Sequence, residues 1–214
     1  MLFSFRFYAL PYALFISLLF FLLPVQANGI AALKVFVQQV NAAEGKFAQT
    51  QLGSSGKVVA KTAGEFYFSR PGKFIWQTTS PYEQQLQSDG TFIYIWDKDL
   101  NQVTIQKLNN ALASSPAAVL FGSNQLEKHF HLKESPTREG VQWVDLTPLA
   151  QDSTFTRISI GFRRDNLVGM ELYDTLGNIT LLTFDRIVTY HTASNKDFSF
   201  VIPKGADVVR NSSP

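Results

Sequence analysis

The sequence predicts a mainly β protein in which a few short helices cover one strongly curved antiparallel sheet or barrel. From Lys46 onward, apolar and polar residues alternate with a period of two over short runs. Clusters of Gly, Pro, Asp and Ser bound these runs at short intervals. Few stretches have helical spacing, and they are too short to form a layer of their own, so we expect them to cap the sheet.

Residues 1–27 have the layout of a cleaved signal peptide. Arg6 precedes a long apolar run that ends at Pro24, and Ala27 closes a Val-Gln-Ala cleavage pattern. The run is nearly long enough to span a membrane, so a retained anchor is the alternative. The proline and the small residues favour cleavage after Ala27, which predicts a single exported domain over residues 28–214.

The chain contains no cysteine, and its 19 Lys and Arg nearly balance its 17 Asp and Glu. An exported protein without disulfides must be stabilised by its core alone. The absence of cysteine also means that the chain cannot carry the lipid of a bacterial lipoprotein. The balanced charge gives no reason to expect nucleic acid or an anionic membrane surface as a partner.

The first predicted helix follows the signal peptide. Ile30, Leu33, Val37 and Val40 recur at spacings of three and four residues and so share one helical face. Gly45 is expected to end this helix. A meander of antiparallel hairpins follows, with turns predicted at residues 53–56, 70–72, 88–90 and 97–99.

A second helical region interrupts the strands at residues 109–131. Ser115 and Pro116 have the residue types of an N-cap and a first helical position, and Gly122 fits a stop. Asn124 could cap another short helix that runs through Phe130. Strands are then predicted at residues 141–148, 155–162, 167–174, 179–187 and 198–203.

Aromatic residues fall into rows along the predicted strands. Because side chains alternate across a strand, Phe66, Phe68 and Arg70 share one face, and Phe74 and Trp76 share a face after the turn. The row with Phe66 and Phe68 is predicted to face inward. A further row is Phe92, Tyr94 and Trp96, with Ile93 and Ile95 on the opposite face.

Arg70 then lies at the rim of an apolar interior, and two interpretations remain open. Its aliphatic stem could cover the core while the guanidinium reaches water. Alternatively, its five donors could hold several backbone carbonyls across the mouth of a cavity, because a helix ends in unpaired carbonyls.

The motifs between residues 64 and 105 are the most informative part of the chain. This stretch reads GEFYFSRPGKFIWQTTSPYEQQLQSDGTFIYIWDKDLNQVTI. It contains, in order, a G-x-F-x-x-x-R-P-G-x-F-x-W block, a proline before Glu-Gln, Ser-Asp-Gly, and Asp-x-Asp-Leu-x-Gln-Val. SPAAVLFG, DTLGNITLLTF and FSFVIPKGADVV follow. In type and order these motifs resemble the outer-membrane lipoprotein carrier family, the periplasmic LolA-type chaperones.

The resemblance implies an incomplete antiparallel barrel, covered by a helical lid over a hydrophobic cavity. It implies that Arg70 ties the lid shut, and that Phe74 lies at the cavity mouth and contacts partners during transfer. The cavity would be lined by Phe66, Phe68, Trp76, Trp96, Met170 and Leu172. The inner face of the lid would comprise Ile30, Leu33, Val37, Val40 and Leu120. The simpler alternative is that these residues fill a sealed core.

The function implied by the resemblance is that of a carrier, with neither an enzyme activity nor a cofactor. The cavity would take the acyl chains of lipoproteins released by an ATP-driven complex of the inner membrane, and an outer-membrane receptor would receive them. A lipid- or lipoprotein-binding sensor or envelope-assembly module of the same fold is the alternative.

Signatures of other chemistry are weak in this sequence. Asp97, Asp99 and Asn101 match the first ligands of an EF-hand loop, but Gln102 replaces its turn glycine. His129 and His131 would share a face if they lay on a strand, yet no third zinc ligand is identifiable. No G-x-S-x-G motif is present, so a lipid hydrolase lacks its usual nucleophile.

Overall fold

The computed structural model describes residues 28–108, 115–122, 125–192 and 196–211. The predicted signal peptide, residues 1–27, and the predicted cap at Asn124 lie outside the described residues. Among the described residues, no helix is long and apolar enough to cross a bilayer.

The described elements are twelve strands, two α-helices and a 3₁₀ helix. The helices are α1 Gly29–Gln39, α2 Pro116–Phe121 and the 3₁₀ helix Leu126–Lys128. The strands in the first half of the chain are β1 Ala42–Leu52, β2 Val58–Ser69, β3 Lys73–Ser80, β4 Gln84–Asp89, β5 Phe92–Asp97 and β6 Gln102–Lys107. Those in the second half are β7 Phe130–Arg138, β8 Val141–Pro148, β9 Phe155–Arg163, β10 Asn166–Asp174, β11 Ile179–Tyr190 and β12 Asp207–Arg210.

All twelve strands form one open sheet in the order β12-β6-β5-β4-β3-β2-β1-β11-β10-β9-β8-β7. Neighbouring strands are antiparallel except β12, which pairs with β6 in parallel. Within the described part of the chain, β7 and β12 are the two edges, so the sheet is not closed. The prediction of a mainly β protein with a few helices and an unclosed sheet is confirmed.

The sheet curves around α1. The ring of Phe36 on α1 lies 6.1 Å from the ring of Phe68 on β2 and 5.9 Å from that of Phe162 on β9. These strands are four positions apart in the sheet. Strands are spaced by roughly 4.8 Å, so in a flat sheet β2 and β9 would be about 19 Å apart. One side chain can contact both strands only because the sheet is strongly curved. We call the face of the sheet that contacts the helices the inner face.

The first helix is shorter than the sequence predicts. α1 ends at Gln39, and Val40 already has an extended backbone with φ −91° and ψ 97°. Gly45, expected to end the helix, lies inside β1. A Cβ at Gly45 would approach the Phe66 ring to 2.8 Å, so this glycine makes room for an aromatic neighbour and is not a helix stop.

The prediction of a helix running through Phe130 is wrong. A single 3₁₀ turn ends at Lys128, and Phe130 begins β7. Leu126 and Phe130 are both buried in the core.

The predicted strand at residues 198–203 is also wrong, because this segment crosses the outer face without joining the sheet. Gln87 Nε2 on β4 donates to the carbonyl oxygens of Phe198 and Ser199 at 2.8 and 3.0 Å. Phe198 is buried, and the ring of Phe200 stacks on that of Tyr94 at 4.7 Å. The apolar alternation thus reflects packing against the sheet, and the last strand is β12.

Candidate functional site

An aromatic cluster fills the inner face between the sheet and α2. The ring of Phe121 on α2 lies 4.4 Å from that of Phe68, 5.4 Å from Phe66 and 6.4 Å from Trp76. The β2–β3 register pairs Phe66 with Trp76 and Phe68 with Phe74, which brings both rows to the same face. Stacked and tilted aromatic pairs of this kind stabilise a core beyond their area alone.

Arg70 lies at one end of this cluster and is almost completely buried, with 6% of its surface exposed. Its Nε donates to the carbonyl oxygen of Val40 at 3.1 Å, and its Nη2 donates to that of Leu120 at 3.0 Å. Val40 directly follows α1 and Leu120 is in the last turn of α2, so one guanidinium joins the C-terminal ends of both helices.

The charge on Arg70 is retained in spite of its burial. Its guanidinium carbon lies 5.0 Å from the centre of the Phe68 ring and 5.4 Å from that of Phe36. Burial lowers the pKa of Arg70 to about 10, which still leaves the side chain protonated at neutral pH. A cation at the C-terminal end of a helix also interacts favourably with the helix dipole.

The N-terminal end of α1 is held by a carboxylate that sequence reasoning missed. Glu134 on β7 accepts hydrogen bonds from the backbone N–H groups of Gly29 and Ile30, at 2.9 and 2.8 Å. Asn28 caps the same turn by accepting from Ala31 N at 2.7 Å. Glu134 is separated from Ile30 by 104 residues, and no local pattern signals such a pairing.

The same end of α1 makes a very close backbone contact with β8. A Cβ at Gly29 would lie 2.5 Å from the carbonyl oxygen of Trp143, so only glycine allows the helix to start here. At the other end, His191 Nδ1 lies 3.1 Å from the carbonyl oxygen of Gln39.

α2 is short, apolar and buried along nearly its whole length. Residues 117–121 are all buried, and Ser115 Oγ accepts from Ala118 N at 3.5 Å as the N-cap. The sequence prediction of Ser115 as cap, Pro116 at the first position and Gly122 after the last is confirmed.

A groove of about 690 Å³ opens between the start of α2 and the inner face. It lies toward the end of the sheet at which β3–β4 and β5–β6 turn, and we call this the hairpin end. Its floor includes Trp76, Leu86 and Ile95, and the start of α2 forms part of its wall. The turn at residues 70–72, beside which Arg70 and Phe74 were predicted to lie at the cavity mouth, is at the opposite end of β3 from this groove.

Most of the residues predicted to line a cavity lie on the inner face. The structure buries Phe66, Phe68, Trp76, Met170 and Leu172 there. Trp96 is the exception, and this prediction is wrong. It pairs with Gln85 and Val103, so it faces outward, while Ile93 and Ile95 face inward. The segment around Phe200 covers the aromatic row of β5 from the outer side, which explains why apolar residues line both faces of this strand.

The helix residues predicted to face inward contact the core to different degrees. Leu33, Val37 and Leu120 are buried, whereas Ile30 and Val40 are partly buried and pack against the same cluster. Phe36, which sequence reasoning omitted, is 3% exposed and contacts Phe68 and Phe162. Its position three residues after Leu33 was the available signal.

Phe74, predicted at the cavity mouth, has no exposed surface in this structure. It pairs with Phe68 across the β2–β3 hairpin, and its ring centre lies 6.2 Å from that of Phe121. In this structure the Phe74 side chain is therefore not accessible to a partner.

The described residues do not bring three or more His, Asp or Glu side chains together as a metal site would. His131 lies on β7 and His129 precedes that strand. Asp97–Asn101 forms the β5–β6 turn, in which Asp97 accepts from Leu100 N at 3.0 Å.

The chain resembles known proteins over nearly all of its length. The family model described as outer membrane lipoprotein carrier protein LolA matches residues 38–201. An outer-membrane lipoprotein carrier protein of Cupriavidus necator is 53% identical over 190 residues, which cover 87% of this chain and 90% of the relative. One from Nitrosospira multiformis is 39% identical over 92% of this chain and 96% of the relative.

Among solved structures, a LolA superfamily protein from Nitrosomonas europaea aligns with a TM-score of 0.48 and 10% identity. The alignment covers 81% of this chain and 98% of that protein. This likeness is too low to carry an argument, so family membership rests on the sequence matches.

Proposed function

The chain belongs to the LolA family of outer membrane lipoprotein carrier proteins, and we propose how its described residues hold and release a lipoprotein. The protein is a periplasmic chaperone that binds lipoproteins, and not an enzyme. The mechanism must therefore be one of shielding and hand-over, with no chemical step.

The free energy of transferring acyl chains into water explains why such a carrier is needed. Each methylene moved into water costs about 0.8 kcal/mol, so three acyl chains with about 45 methylenes cost roughly 36 kcal/mol. Non-covalent affinities rarely exceed about 21 kcal/mol. A carrier must therefore offer an apolar interior comparable to the bilayer, and a means of opening it.

In our proposal α1 and α2 form a lid over a hydrophobic cavity on the inner face, and Arg70 is the latch. The observation that carries this proposal is the buried Arg70 guanidinium, which bonds to Val40 after α1 and to Leu120 in α2. Charge-assisted hydrogen bonds contribute about 1.5–3 kcal/mol each, which is small enough for a partner or client to overcome.

We assign the opening movement to α2. Phe121 fills the space between Phe66, Phe68 and Trp76, so moving α2 outward exposes these rings and makes room for acyl chains. Phe74 becomes accessible in the same movement, which is how it would contact a partner during transfer. Met170, Leu172 and the inner residues of α1 would complete the apolar lining.

The route across the periplasm is part of the proposal. Residues 1–27 act as a cleaved signal peptide, and residues 28–214 form a single carrier domain. An ATP-driven complex in the inner membrane releases the lipoprotein to the carrier, and an outer-membrane receptor takes it over. The 53% identical outer-membrane lipoprotein carrier protein of Cupriavidus necator supports the carrier role on which this route rests.

Release from the inner membrane is the direct test. Purified protein is added to spheroplasts that make an epitope-tagged outer-membrane lipoprotein, and the supernatant is assayed for a soluble one-to-one complex. We expect the complex to form, and to disappear when the client lacks its lipid. The absence of release by folded protein, with an active inner-membrane complex, would contradict the proposal.

A further inference from the structure

Polarity changes in steps along the inner face of β3, β4 and β5, from the buried Arg70 end to the groove. The register of β3, β4 and β5 arranges inward-facing residues in three rows across the strands. The row nearest Arg70 is Phe74, Ser88 and Ile93, all without exposed surface. The middle row is Trp76, Leu86 and Ile95. The row at the hairpin end is Thr78, Gln84 and Asp97.

The rim of the groove combines exposed apolar side chains with polar ones. Tyr82 is 70% exposed and Leu100 is 71% exposed, and both line the groove where the hairpins turn. Glu83 and Asp99 stand beside them, and Gln49 on β1 and Thr62 on β2, which pair with each other, add further polar lining. The groove is therefore apolar toward the aromatic cluster and polar toward its mouth.

From this gradient we infer that the Thr78–Gln84 row is a binding site for the polar junction of a lipid-modified N-terminus. The junction is the group of ester and amide bonds from which the acyl chains branch. The chains point along Trp76 toward Phe121, and the polypeptide leaves between Tyr82 and Leu100. This inference rests on the proposed carrier function and adds the orientation of the client.

Hydrogen bonding and desolvation both favour this orientation. Ester and amide carbonyls are acceptors, and the Thr78 hydroxyl and the Gln84 amide are donors that line the groove next to the apolar middle row. In the reverse orientation the polar junction would lie against Phe74 and Ile93. The polar groups nearby are already engaged, Ser88 Oγ by Gly90 N and Arg70 by the carbonyls of Val40 and Leu120, so burying further polar groups there is costly. A groove of about 690 Å³ is also within the range of ligand sites.

Two probes separate binding of the junction from binding of the chains. One is a triacylated cysteinyl-serine with no charged side chain, and the other is palmitate, which lacks the ester and amide junction. We expect Thr78→Val and Gln84→Leu each to weaken triacyl-peptide binding about tenfold and to change palmitate binding less than twofold. Thr183→Val makes the same change at an exposed position on the neighbouring half of the sheet and should alter neither.

A cross-linking experiment tests the orientation directly, because the chain has no cysteine of its own. The triacyl peptide carries a thiol-reactive group on its second residue. We expect it to label a Leu100→Cys variant at least fivefold more than a Lys73→Cys variant, whose exposed site lies at the Arg70 end.

The outcomes separate this inference from the carrier role. Equal losses for both probes in the Thr78 and Gln84 variants, no loss for either, or preferred labelling at position 73 would overturn the orientation and leave the carrier role intact. Failure of the unaltered protein to bind either probe would refute both.

Discussion

α1 and α2 both cover the inner face of the sheet, but they are held there differently. The backbone of α1 is bonded at its start by Glu134 of β7 and at its end by Arg70, whereas the start of α2 is capped by the adjacent Ser115. α2 is half as long, and Arg70 reaches it at Leu120. This difference is the basis for proposing that α1 is the fixed part of the lid and α2 the movable part, with the Arg70 guanidinium joining them.

The largest expected effect comes from placing a charge beneath each helix. Phe162 lies under α1 and Phe74 under α2, and neither has exposed surface. Phe162→Glu should lower the free energy of unfolding by at least about 5 kcal/mol, because the carboxylate has no way to reach water. Phe74→Glu should cost less, because the proposed opening of α2 would hydrate the new carboxylate.

Urea denaturation measures both variants, with Phe92→Glu as an exposed control. Equal losses at positions 162 and 74 would mean that α2 is as fixed as α1. Binding of an apolar dye by folded Phe74→Glu protein would indicate the open state directly.

Removing one buried ring from each helix tests the same difference between α1 and α2 with a smaller change than a buried charge. Phe36→Ala on α1 should lower the free energy of unfolding by about 3–5 kcal/mol, the usual cost of deleting a buried phenylalanine. Phe121→Ala should cost less, since its effect on global stability is limited by the free energy of opening α2 locally. Calorimetric melting of the two variants checks this, and a larger loss for Phe121→Ala would contradict the assignment.

Arg70→Leu should loosen α2 and leave α1 in place. The loss of its hydrogen bonds should reduce the stability of the closed state by about 1.5–3 kcal/mol. Amide exchange should speed up at Val119 and Gly122, whose N–H groups bond within α2 to Ser115 and Ala118. Exchange at Ala32 in α1 should change little.

The matched controls for this change are Arg163→Leu, at an exposed arginine, and Arg70→Lys. A lysine ammonium cannot reproduce the planar guanidinium that donates to two carbonyls. Arg70→Lys should therefore keep only part of the stability of the closed state that Arg70→Leu loses. Unchanged lipoprotein hand-over by the Arg70→Leu variant would show that the arginine is not a latch.

The smallest expected effect is at the start of α1. Glu134→Gln keeps one acceptor oxygen but loses the negative charge at the helix N-terminus, which should cost about 1 kcal/mol. Faster amide exchange at Ala32, with α2 unaffected, is the expected signature. Glu139→Gln in the exposed β7–β8 turn is the control. Equal amide exchange at Ala32 in the two variants would show that Glu134 does not hold the start of α1.

Local patterns predicted the strands well and the long-range coverings poorly. Alternation was sufficient for β8 and for the direction of Phe66, Phe68 and Arg70, because a strand has only two faces. It failed at Trp96, since a segment about 100 residues later covers the outer side of β5. A row of apolar side chains indicates that the row is buried, but not which part of the chain covers it.

In the candidate site, too, local patterns did not identify partners that are distant in sequence. The sequence contains a residue type at Arg70 that can bind several carbonyls, but the identity of those carbonyls depends on where two distant helices end. Glu134 left no signal, because an exposed strand carboxylate is ordinary until a helix N-terminus is found above it. Gly45 was misinterpreted because a glycine that makes room for a ring looks, in sequence, like one that ends a helix.

The pairing at the centre of the sheet constrains how the molecule can be made. β1 is flanked by β2 and by β11, and Ala42 pairs with Tyr190. A chain that emerges from a ribosome or a translocation channel N-terminus first can form the β1–β2 hairpin early. The other side of β1 must stay unpaired until β11, residues 179–190, begins to emerge. Contacts of such sequence separation slow folding and leave an edge exposed to aggregation meanwhile. The topology therefore delays completion of the apolar interior until nearly the whole chain is on one side of the channel.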